Sequence, residues 1–134
     1  MFVVIILIFL AVAFLLALAV FVKNSRRKGF DSKQSYYIKS HWIRIIDSFH
    51  HDPRHAILDA DKILDYALAK KGFEGHLGEK LKKAGSRFSD LNGLWSAHKL
   101  RNRIAHEIGD IPVGEAKRAL AQFKKGLNDL GAGL

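Results

Sequence analysis

The chain has 134 residues, 22 Lys+Arg against 13 Asp+Glu for a net charge of +9, and no cysteine. The lack of Cys excludes a disulfide framework, a thiol nucleophile and a thiolate metal site, and it fits a reducing compartment without requiring one. Beyond its apolar start, the chain has the length of one domain, enough to bury a core without staples.

Residues 2–22 carry no charged or polar side chain. As a helix they measure roughly 31 Å, the thickness of a hydrocarbon core. Lys23, Arg26, Arg27 and Lys28 come directly after. Positive charge beside a span marks its cytoplasmic side. The expectation is therefore a single-pass protein of the cytoplasmic membrane, with a short N-terminus outside and the C-terminal domain in the cytoplasm. Ala17-Leu18-Ala19 resembles a signal-peptide cleavage site. Against cleavage, no Lys or Arg precedes the run, the run is long, and the basic cluster lies on the wrong side. Without those four basic residues, residues 29–134 hold 18 basic and 13 acidic side chains, net +5. That mild excess permits RNA or anionic lipid as a partner and demands neither.

Residues 23–33 read as a basic juxtamembrane linker, and 34–134 as a helical bundle. Ile38, Trp42, Ile45, Ile46 and Phe49 recur at helical spacing, predicting a helix over about 34–51. Asp52-Pro53 opens the next helix with a cap and a proline at its first position. Ile57, Ala60, Ile63, Leu64, Ala67 and Leu68 line one face, and Gly72 lies just past its end. A short helix fits Gly78–Ala84, with Leu77, Leu81 and Phe88 filling the core. Ser89 or Asp90 caps a helix running to about Ile108. After Gly109-Asp110-Ile111-Pro112, a last helix spans about 113–130. No strand alternation and no repeat occurs, so the expected class is all-α: one transmembrane helix and an antiparallel bundle of four to five helices.

On a wheel of the 90–108 helix, Leu94, Ala97, Leu100, Ile104, Ala105 and Ile108 share one arc, and Arg101 falls inside it. A charge among apolar residues must find a partner. Beside the arc runs a second stripe of His98, Asn102 and His106, four residues apart, with Trp95 between them in angle. Trp95 reads as core in preference to a base-stacking platform.

Arg101-Asn102-Arg103-Ile104-Ala105-His106 is an Arg-x4-His motif with a polar residue directly after the Arg, near the end of the penultimate helix of a small bundle. It resembles the motif of the HEPN superfamily (higher eukaryotes and prokaryotes nucleotide-binding). The resemblance covers roughly residues 35–131, including His55–Asp61 on an earlier helix and Glu115–Leu120 on the last. It implies a homodimer whose motifs meet in one cleft, and metal-independent RNA cleavage in active members. Carried over, His106 acts as general acid/base around the ribose 2′-hydroxyl and the leaving oxygen. Arg101 binds the phosphate, and Asn102 orients His106 or the phosphate. Some toxin-like members carry a Tyr two residues after the His; Ile108 stands there, so regulation through that tyrosine is not expected. Other HEPN-like domains keep parts of the motif as non-catalytic interaction modules, and a neutralising or regulatory protein partner is a further expectation.

His98, Lys99 and Arg103 flank the motif and are the candidate substrate-binding residues. For Lys99 and Arg103 a solvated face is the alternative, and for His98 helix packing. Arg101 has a structural alternative too, neutralisation by Asp59 or Asp61. His50, His51, Asp52 and His55 cluster in sequence, but a cap and a proline interrupt them, so no metal site is expected. The glycines of 72–85 lack P-loop spacing, and no cofactor is expected.

Overall fold

The structure, a computed structural model, describes residues 1–26 and 29–134. Part of the expected linker, residues 27–28, lies outside the described residues. The elements are α1 Phe2–Arg26, α2 Ser32–Phe49, α3 Pro53–Lys70, α4 Leu77–Lys83, a 3₁₀ turn Gly85–Arg87, α5 Leu91–His106 and α6 Val113–Asp129. Among the described residues there is no strand.

α1 is one uninterrupted helix. Its Phe2–Asn24 stretch has a mean hydropathy of 3.5 and is not buried by the rest of the chain, so it is long and apolar enough to cross a membrane. Helix continues through Lys23 to Arg26, because a chain leaving an apolar span has no reason to unwind until its sequence disfavours helix.

α2 starts earlier than the periodicity indicates. Asp31 accepts from the Gln34 N–H at 2.8 Å, and Gln34 Oε1 accepts from the Asp31 N–H at 3.2 Å, a closed capping box. Ile38, Trp42, Ile45 and Phe49 go into the core. Ile46, expected with them, is 42 % exposed. It sits at the margin of the apolar arc, where no neighbouring helix covers it.

α3 is the central helix, meeting α2, α4, α5 and α6. Asp52 accepts from the His55 N–H at 3.0 Å, and Pro53 occupies the first turn. At its far end Gly72 adopts φ +90°. The Gly72 N–H reaches Ala69 O at 3.0 Å and the Phe73 N–H reaches Leu68 O at 3.1 Å, a Schellman closure. Lys80 of α4 is buried and pairs with Asp65 of α3 at 2.8 Å, fixing the short helix in place. Leu77, Leu81 and Phe88 fill the core beneath it.

α5 is capped by Asp90, which accepts from the Gly93 N–H at 2.9 Å. It crosses α6 closely: a Cβ on Gly126 would meet Leu94 side-chain carbons at 3.1 Å. Leu94, Ala97, Leu100 and Ile104 are buried as the wheel indicates, whereas Ala105 is exposed and Ile108 fully so. The reason is Arg54 of α3. Its guanidinium donates to Ile104 O and Glu107 O, each at 2.9 Å, and to Gly109 O. These are carbonyls near or beyond the helix end, so α5 stops at His106 and the chain turns away before Ile108 can reach the core.

Candidate functional site

The site forms where α3 and α5 lie side by side. Asp61 on α3 faces α5 and is 5 % exposed, the one buried carboxylate among the described residues. Two cationic or protonatable side chains of α5 converge on it. His98 Nδ1 lies 2.8 Å from Oδ1, and Arg101 Nε lies 3.2 Å from Oδ2. The spacing of His98 and Arg101 places them one turn apart on the same side of the helix, so each can take one carboxylate oxygen.

The two contacts differ in quality. His98–Asp61 is an aligned hydrogen bond. The Arg101 Nε contact is a charge pairing without that alignment, and the Nε atom is buried without a hydrogen-bond partner. Arg101 also donates from Nη1 to Asn102 Oδ1 at 3.1 Å. The guanidinium is thus tethered at its neck while its tip stays 31 % exposed at side-chain level. Arg101, Asn102, His98 and Asp61 share the wall of a cleft of ≈ 380 Å³ with Lys62 of α3 and the His76–Gly78 turn. Trp95 packs against two of its lining residues. Its ring lies over Gly78, where a Cβ would sit 3.5 Å away, and meets the His98 imidazole edge-on at 5.9 Å between centroids.

Of the residues singled out from sequence, His98, Arg101 and Asn102 come together here. His106 lies outside the cleft, exposed in the last turn of α5 and one turn beyond Asn102 on the same stripe. Among the described residues its side chain makes no hydrogen bond or ion pair. Lys99 points to solvent. Arg103 reaches α6, where its Nη1 pairs with Glu115 Oε1 at 2.7 Å. Of two cleft residues that no motif marks, Lys62 comes from α3 itself and His76 is brought in by the α3–α4 connection. At the α2–α3 junction, His55 pairs with Asp59 at 3.2 Å, and Asp52 serves as a helix cap. Comparison with protein-family models, curated proteins and solved structures finds no match for this chain.

Chemically, the cleft offers the partly exposed end of a guanidinium, an amide, and an imidazole held by a carboxylate. That set suits an oxyanion such as a phosphate diester, bound by Arg101 and Asn102 with a proton-transfer group beside it.

Proposed function

We infer that the chain is a membrane-tethered, HEPN-like module that binds RNA at the Arg101–Asn102 wall and cleaves it by metal-independent acid–base chemistry. α1 serves as the single-span anchor, and the basic residues from Lys23 to Lys28 favour a cytoplasmic domain. The observation that carries the reading is the state of Arg101. Its Nε is held inward against Asp61 while the side chain stays 31 % exposed at the cleft, so the terminal nitrogens can engage an incoming phosphate as charge-assisted donors. His106, with no partner in its own subunit, belongs to a cleft completed by a second copy of the chain, as the Arg-x4-His resemblance implies.

A second reading has its own support. Asp61 already balances Arg101, Lys80 balances Asp65, and Asp59 lies 3.5 Å from Lys62. A cleft so neutralised also suits a non-catalytic module that holds a protein partner at the membrane surface.

The test uses the full chain in detergent micelles with single-stranded RNA and EDTA. The RNA-cleaving reading expects 5′-hydroxyl products, lost on Arg101→Lys in a variant whose circular dichroism matches the parent. RNA left intact by a folded parent, or cut only when magnesium is added, favours the interaction module. A C-terminal reporter fusion checks the topology, and a signal from the outer side would refute it.

A further inference from the structure

We propose that His98 is the general base of this site and that Asp61 is the residue that positions it. The inference rests on the RNA-cleaving reading above, and it assigns two residues outside the Arg-x4-His motif.

Asp61 fixes the tautomer of His98. An ionised carboxylate only accepts hydrogen bonds, so in the 2.8 Å contact the proton sits on His98 Nδ1. In the neutral ring Nε2 then carries the lone pair. Nε2 has no hydrogen-bond partner among the described residues and is not sealed from solvent. The ring borders the cleft. It cannot swing freely, because Asp61 holds one edge and Trp95 stands against it at 5.9 Å. This is the arrangement a base requires: a fixed tautomer, a fixed direction and an open nitrogen.

The same carboxylate sets the second half of the geometry. Oδ2 draws Arg101 as Oδ1 holds His98. A phosphate taken up by the guanidinium therefore lies beside the imidazole. The ribose 2′-hydroxyl next to that phosphate gives its proton to His98 Nε2 as O2′ bonds to phosphorus. The P–O5′ bond breaks, and O5′ takes a proton from a His106 imidazolium. The products are a 2′,3′-cyclic phosphate and a 5′-hydroxyl. One proton has been gained by His98 and one lost by His106, and solvent restores both.

The experiment compares the full-length parent, His98→Gln and Asp61→Asn in micelles, on a labelled oligoribonucleotide in EDTA. Gln keeps an N–H for Asp61 but cannot shuttle a proton, so the fold is held while the chemistry is removed. The expected result is a fall in kcat of about 10²–10⁴-fold with KM little changed and an unaltered circular dichroism spectrum. A His98→Gln chain that cuts at the parent's rate, or that loses only RNA binding, overturns the assignment and leaves the RNA-cleaving reading standing. A folded parent that cuts no RNA overturns both. ¹⁵N imidazole spectra of the parent give a check independent of turnover and of variant folding. The Nδ1–H tautomer of His98 is expected, and the Nε2–H tautomer refutes the role of Asp61. In Asp61→Asn the Nδ1–H preference should weaken together with kcat, and a tautomer that stays unchanged refutes the positioning role.

Discussion

The two halves of the α5 polar stripe differ in how firmly they are held. His98, at its start, shares one buried carboxylate of α3 with the adjacent Arg101 and stands against Trp95. Asn102, further on, is met by the Arg101 Nη1–H, and the His106 side chain lies on an exposed helix end with no hydrogen bond or ion pair among the described residues. Both halves belong to one helix with one periodicity, so the difference comes from what lies opposite. α3 supplies Asp61 to the first half. For the second it supplies Arg54, which is occupied with backbone carbonyls. A preorganised half and an unpartnered half are what a composite site built from two copies would show in each subunit.

Substitutions in either half can break that contrast, and the largest effect expected is on turnover. His106→Ala should lower RNA cleavage by about 10²–10⁴-fold in a gel assay. His98 and His106 are separated by roughly 12 Å along the helix axis, so they should act from different subunits on one phosphate. An equimolar mixture of His98→Gln and His106→Ala chains should then recover cleavage that neither shows alone; a mixture that stays inactive would place both imidazoles in one subunit.

Stability should respond less than turnover. Asp61→Ala leaves two groups without their buried counter-charge and should cost about 3 kcal/mol, the low end for a broken buried pair because Arg101 keeps water contact. His106→Ala, at an exposed and unbonded position, should stay within about 0.5 kcal/mol. Guanidinium melts of both variants measure the contrast, and equal losses would show that the two halves are held alike.

Arg54→Ala removes three charge-assisted bonds to the end of α5 and should cost about 1–3 kcal/mol. Amide exchange should rise in residues 103–106 before it rises around Leu94. Uniform exchange along the helix would show that Arg54 is not what holds that end.

The smallest effect is expected at the start of α5. The Gly93 N–H, and after it the Gln122 side chain, hold the Asp90 carboxyl below its ordinary range. Its folded pKa lies below the unfolded one, so its contribution is present above the usual Asp range and fades as pH falls through the depressed value. Melts between about pH 6 and pH 3 should show that decline in the parent and a flatter one in Asp90→Asn, where an uncharged cap does not titrate. Parallel curves would remove Asp90 from the acid sensitivity.

Much of the architecture was legible in the residues. α1 is read from composition alone, since an apolar run of that length has one stable form in lipid. The Schellman closure at Gly72 and the caps at Asp52 and Asp90 are local chemistry, in which partners lie within a few residues and no distant segment takes part. The need of Arg101 for a counter-charge was legible too, because a charge inside an apolar arc demands one.

Other features were decided only by the assembled bundle. Sequence offered Asp59 and Asp61 as partners for Arg101. Rotation of α3 against α5 turns Asp61 inward to Arg101 and His98, and leaves Asp59 outside with His55 and Lys62. The wheel placed Ile108 in the core, but Arg54, fifty residues or more away, draws the carbonyls of Ile104, Glu107 and Gly109 and ends the helix first. His98 is the clearest case. Nothing local to it separates a packing imidazole from a reactive one. What singles it out is a carboxylate 37 residues away, brought to 2.8 Å by the packing of two helices whose own formation needed neither residue.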